Sequence, residues 1–153
     1  DFTTPYYESE MVCIVRADDA LAGATSLADF TGKNVQGQQN TIYDDIIDQI
    51  PGVNHMTPLA SYPLMVLALQ NGEADALTAE LPVATGVVTS NPNLAIVQFE
   101  AGKGFEADTT VSIAVKKGNT ELLNAVQAAL DTIDSDTRTQ WMTDAVSRQP
   151  ANG

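Results

Sequence analysis

Two rhythms of apolar residues alternate along the chain: short runs rich in β-branched residues, and longer stretches in which apolar positions recur every three or four residues. Residues 10 to 16, containing Met11-Val12-Cys13-Ile14-Val15, read as a buried strand that Asp18-Asp19 turn. Ser26 is placed to cap a one-turn helix over Leu27 to Phe30, closed by Gly32, and Val35 to Gln38 reads as a short strand. Asn40 or Thr41 then caps a helix with Ile42, Ile46, Ile47 and Ile50 on one face, ended by Pro51-Gly52. Val53 to Met56 is a further candidate strand. Ser61 caps an apolar helix with Pro63 in its first turn, and Gly72 stops it. A short buried strand follows and ends at Glu80, just before Pro82 opens a helix over Leu81 to Thr89. Strands are expected at Leu94 to Phe99 and at Thr109 to Val115, with a loop over Glu100 to Asp108 between them. Two helices close the pattern. Asn119 caps the first, which carries Leu122, Val126, Leu130 and Ile133, and Asp134 or Ser135 starts the second, which carries Trp141, Met142, Ala145 and Val146. The tail from Gln149 to Gly153 is expected to fray.

Strands alternating with helices over the first hundred residues predict a layered α/β fold with a mainly parallel sheet flanked by helices. With 153 residues, 44% of them hydrophobic, there is material for one compact domain or one lobe of a larger protein. The net charge of −13 disfavours nucleic acid and anionic membrane surfaces, both of which repel an acidic chain. Cys13 is the sole cysteine, which leaves no intramolecular disulfide and no thiolate cluster; within its apolar run it reads as a small core hydrophobe. No apolar run approaches the ~20 residues that span a bilayer, and no leader pattern is present. The opening on Asp1-Phe2, without an initiator methionine, leads us to expect a processed or truncated piece.

Residues suited to catalysis are scarce. His55 is the only histidine and reads as structural or surface, and no serine or cysteine sits in a nucleophile setting. No His/Asp/Glu spacing suits a metal, the glycines at 32 and 37 build no phosphate loop, and no cofactor is expected. Asp44, Asp45 and Asp48 read as the solvated face of a helix. The strand-to-helix junctions carry more. Gln38-Gln39-Asn40-Thr41 ends at a helix N-terminus, where free amides attract an anion such as a ligand carboxylate and the Thr41 hydroxyl adds a donor; Asn40 and Thr41 also read simply as caps. Glu80 lies at a second junction, at the carboxyl end of its strand, where open α/β sheets bind ligands. It suits a ligand ammonium, or else the start of the next helix. An anion-friendly turn and a carboxylate, both at strand carboxyl ends, together describe a pocket for a zwitterion.

Four segments in order then resemble one family. Asp1-Phe2-Thr3-Thr4-Pro5-Tyr6-Tyr7 is similar to the hinge motif Asp-Phe-Ser-x-Pro-Tyr-Tyr of the family 3 extracellular solute-binding proteins, the polar amino-acid receptors of ABC importers. Gly32-Lys33-Asn34-Val35 followed by Gln38 to Thr41 resembles that family's Gly-Lys-x-Val-x-Val-Gln-x-Gly-Thr segment. Gly72 to Pro82 matches its Gly-x-x-Asp-Ala strand with an acid five residues after the aspartate, and Val111 to Gly118 resembles the strand before its final helices.

The resemblance implies the type II periplasmic-binding fold, in which two α/β lobes close on a free amino acid without covalent chemistry. It implies a hinge segment at 1–9, the second lobe at 10–108, and at 109–153 a return strand and helices that pack on a first lobe. Glu80 stands where the family's acid holds the α-ammonium, Thr41 where a hydroxyl and amide meet the α-carboxylate, and Gln38 where a residue touches the ligand side chain. Asn40 replaces the family glycine and Ile42 the frequent second threonine. The first lobe would supply an arginine for the carboxylate, so this piece alone is expected to bind amino acids very weakly or not at all. The implied function is the substrate-binding component of an importer for a polar amino acid such as glutamine or arginine. The implied partners are that amino acid and a membrane permease, with no nucleic acid, at a periplasmic or lipid-tethered extracytoplasmic location. The alternatives are a sensor or effector domain of the same fold, or a cyclohexadienyl dehydratase-like lyase. The uncovered stripe of Leu122, Val126 and Leu130 with Trp141 leads us to expect self-association through the C-terminal helices.

Overall fold

A computed structural model describes residues 1 to 148; the expected fraying from Gln149 onward lies outside them. The chain divides into two units: Glu10–Ala107, and Asp1–Ser9 together with the described residues from Asp108 onward.

The larger unit is built on a five-stranded sheet. In chain order its strands are β1 (Met11–Arg16), β2 (Asn34–Gln36), β3 (Asn54–His55), β4 (Ala76–Glu80) and β5 (Leu94–Val97). They lie side by side as β3-β2-β4-β1-β5. β2 pairs in parallel with both β3 and β4, whereas β1 runs antiparallel to β4 and to β5. Four strands therefore share one direction and β1 alone is reversed.

Both faces of the sheet are covered, which is why β1 and β4 are nearly continuous apolar runs. Val12 and Ile14 of β1, with Leu77 and Ala79 of β4, meet Met65, Val66 and Leu69 of helix α2 (Tyr62–Gln70) and Ala84 of α3 (Leu81–Ser90). Cys13, Val15 and Ala76 face the other way, toward Leu21, Phe30, Val35, Ile47 and Ile50. Burial pushes the Cys13 thiol well above its ordinary pKa, consistent with an inert core residue. Phe30, Phe99 and Phe105 extend that second layer as edge-to-face pairs with centroids 5.9 and 5.5 Å apart.

The expected helix over the isoleucines is broken in two. α1 spans only Ile42–Asp45, and a 3₁₀ turn follows at Ile47–Gln49. The Tyr43 carbonyl accepts the Thr78 hydroxyl of β4 at 2.6 Å, which anchors it to the sheet. Ile46, Ile47 and Ile50 are buried, while Ile42 remains 41% exposed rather than joining their face. The expected Val35 to Gln38 strand likewise stops at Gln36, and Gln38 makes a single parallel bridge with Leu59.

Arg16, at the end of β1, ties this unit together. Its guanidinium donates to the carbonyls of Leu69 (2.7 Å) and Ala74 (2.8 Å), which flank the turn from α2 into β4. It also pairs with Asp19 at 3.1 Å and Asp75 at 3.5 Å. Gly72 makes that turn with φ +79°, a conformation that favours glycine. Replacing Arg16 with Met keeps the aliphatic stem but removes both hydrogen bonds to the carbonyls and both ion pairs. Urea unfolding of Arg16→Met is expected to show a loss of about 2–4 kcal/mol.

In the smaller unit the expected strand over Thr109 to Val115 is reduced to β7 (Thr110–Val111), whose ladder partner is β6 (Tyr7–Glu8). The two pair antiparallel. Scattered bonds continue the pairing, Thr3 amide to Ile113 carbonyl and Val115 amide to Asp1 carbonyl, but Pro5 has no N–H to donate and regularity is lost around it. Asn119 caps α4 (Thr120–Asp131) by accepting from the Leu122 amide, and Asp134 caps α5 (Ser135–Ser147) by accepting from the Thr137 amide. Leu122 and Trp141 on these helices are 47% and 55% exposed.

Candidate functional site

Glu80 is the last residue of β4 and the N-cap of α3. Its side chain makes no capping hydrogen bond to that helix, so its carboxylate is not tied up as a cap. It stands where the sheet opens: β2 pairs with β4 only as far as Gln36 opposite Leu77. Beyond that point, α1 packs directly against β4.

Gly37 makes this possible. A Cβ built on it would lie 2.5 Å from the Asp44 Cα, so only glycine lets the end of β2 pass this close to α1. The chain then reverses through Asn40 at φ +61°, the left-handed region, where asparagine is among the least costly residues after glycine. The replacement of the family glycine by Asn40 thus preserves the turn.

α1 is a single turn, so its macrodipole is small, and its leading amides matter individually. The Thr41 carbonyl accepts from the Asp44 and Asp45 amides. The amides ahead of those, up to Tyr43, have no intrahelical acceptor by helix geometry. The Thr41 hydroxyl donates to the Gln38 carbonyl at 2.8 Å and makes no cap bond. Asn40 makes no cap either; the turn is closed locally by the Thr41–Gln38 bond. The Gln38 side-chain amide donates to the Ala60 carbonyl at 3.2 Å, and Ile42 is exposed.

Three residues absent from the sequence reading complete this region. The Tyr43 phenol lies beside Glu80; burial first, and then that carboxylate's charge and hydrogen bonding, push it up to about 12. Tyr62, from the start of α2, donates its hydroxyl to the Thr78 carbonyl at 3.0 Å. Thr78 itself is fully buried, a hydroxyl within an apolar strand. That polar residue inside Ala76-Leu77-Thr78-Ala79 was the sequence signal available.

His55 is structural, as expected, and Asp45 and Asp48 are exposed, as expected of a solvated face; Asp44 is drawn partly under cover. Asp44 and Asp48 also face the two ring nitrogens of His55, each at 2.9 Å. Burial lowers the imidazole pKa, but hydrogen bonds to both carboxylates and their charges outweigh it, and the net shift is upward from 6.5. A raised folded-state value means that this cluster stabilises fully below pH 6.5 and loses its contribution as pH rises through the folded pKa. Urea midpoints should therefore fall above pH 6.5 in the parent protein, and this step should vanish in His55→Gln.

No three or more His, Cys, Asp or Glu side chains among the described residues are arranged to hold a metal ion, and no helix there is long and apolar enough to cross a membrane.

The profile of the bacterial extracellular solute-binding proteins, family 3, matches residues 1–144. The chain is 32% identical over 136 residues to a putative ABC transporter arginine-binding protein 2 of Escherichia coli K12, covering 88% of this chain and 54% of that protein. It is 30% identical over 144 residues to the ABC transporter arginine-binding protein 1 of the same organism, covering 94% and 57%. Among solved structures, an amino-acid ABC transporter substrate-binding protein from Streptococcus pneumoniae bound to L-arginine superposes with a TM-score of 0.77 at 30% identity, covering 96% of this chain and 61% of that one. These relatives are binding proteins rather than enzymes, and the chain spans little more than half of their length. By its sequence and its fold, the chain belongs to the family 3 bacterial extracellular solute-binding proteins.

Proposed function

We propose that the chain is the second lobe, hinge segment and C-terminal helices of the substrate-binding component of an ABC importer for a polar amino acid. The observation that carries this reading is the pairing of an uncapped carboxylate, Glu80, with the amide end of α1 on the same strand end. A free amino acid presents the complementary pair: Glu80 would take its ammonium, and the amides around Asn40, Thr41 and Ile42 its carboxylate. Gln38 would border the ligand side chain. Arginine and glutamine are the leading cargo classes, arginine being favoured by what the relatives bind. Binding would proceed by hinge closure onto a first lobe, outside the cytoplasm, with delivery to a membrane permease. In the whole receptor Leu122 and Trp141 would face that first lobe, so self-association is proposed only for the isolated chain.

The test is calorimetry of free L-amino acids against the full-length receptor. Tight binding of one polar or cationic amino acid is expected. No binding across the panel would overturn the reading in favour of a sensor or an enzyme on the same fold.

A further inference from the structure

The two poles of the proposed site belong to different elements, and something must fix their spacing. Glu80 is carried by β4, and the amides by the turn entering α1. Thr78 connects both to one point. Its hydroxyl donates to the Tyr43 carbonyl at 2.6 Å, holding α1 to β4 two residues before Glu80. Its own carbonyl accepts the Tyr62 hydroxyl at 3.0 Å, which holds the start of α2 to that residue. It sits where β2 has left the edge of β4, so no neighbouring strand on that side braces the last residues of β4. On the opposite side it is fixed by pairing with Cys13 of β1. A fully buried hydroxyl in an apolar layer is costly unless it is hydrogen-bonded, and the bond it makes runs to the ligand-facing element rather than to its own strand.

We infer that Thr78 is a positioning residue for amino-acid binding: through its bond to the Tyr43 carbonyl it sets the distance between the Glu80 carboxylate and the α1 amides. It touches no ligand atom. The inference rests on the proposed function and deepens it.

The variants are Thr78→Val, which keeps shape and removes the donor, and Thr78→Ser, which keeps the donor. Each is titrated calorimetrically in the full-length receptor with L-arginine and L-glutamine. Thr78→Val is expected to bind roughly tenfold more weakly, with Thr78→Ser returning near the parent value. In a Glu80→Gln background the same Thr78→Val change should cost little further affinity, because one pole is already lost; a merely structural role would weaken both backgrounds equally. Should valine fail to fold, Thr78→Cys, similar in size and a much weaker donor, replaces it. Parent-like affinity for the donor-less variant, or equal losses in both backgrounds, would overturn the inference and leave the function standing. Absence of binding in the parent would instead remove the function on which it rests.

Discussion

Gly37→Ala is expected to unfold or severely loosen the larger unit. The added methyl would meet the Asp44 Cα at 2.5 Å and the Asp44 amide nitrogen at 2.9 Å. Those are backbone atoms, so no rotamer change relieves the overlap. α1 cannot simply back away, because Thr78 holds the Tyr43 carbonyl and His55 holds Asp44. The strain must be absorbed by parting β2 from α1, at a cost of about 3 kcal/mol or more. Urea or thermal unfolding measures it, and amino-acid affinity should fall with it, since the parted elements form the site. A parent-like midpoint would mean that the close approach is softer than its geometry implies.

Glu80→Gln is expected to act on binding and hardly on stability. Glutamine has nearly the same shape, and the glutamate makes no cap bond to lose. What disappears is the negative charge facing a ligand ammonium in a partly buried setting. Removing one partner of such a charge-assisted pair costs about 2–4 kcal/mol, roughly 30- to 1,000-fold in affinity. The Tyr43 phenol supplies an internal check. Glu80 contributes to its elevation to about 12, after burial, so its titration should move down in Glu80→Gln. A phenol shift without a change in affinity would show that Glu80 is seated as described but does not contact the ligand.

The sheet was readable in the sequence because its signals are local and strong. Met11 to Val15 are apolar on both sides, and Ala76 to Ala79 are so but for Thr78, as a covered sheet requires, and Gly72 and Pro82 mark the boundaries of β4 and its flanking helices. Asn119 and Asp134 lead the helices they were expected to cap. The isoleucine helix is only partly as its spacing suggested: Ile46, Ile47 and Ile50 are buried, but Ile42 is exposed and the helix breaks after Asp45, near the Tyr43 carbonyl that Thr78, thirty-odd residues away, bonds. The contact of His55 with Asp44 and Asp48 was not legible, because nothing in sequence places β3 beside them. The junction positions of Glu80 and Thr41 were legible. Tyr43, Tyr62 and Gly37 were not, since their roles arise from approaches between segments that one-dimensional spacing does not encode.

The most direct measurement is a crystal structure of the full-length receptor with the amino acid that calorimetry identifies. The ligand ammonium is expected about 3 Å from the Glu80 carboxylate and the ligand carboxylate at hydrogen-bonding distance from amides in the Asn40 to Tyr43 turn. A ligand whose ammonium is held by another residue, with Glu80 turned to solvent, would contradict this expectation.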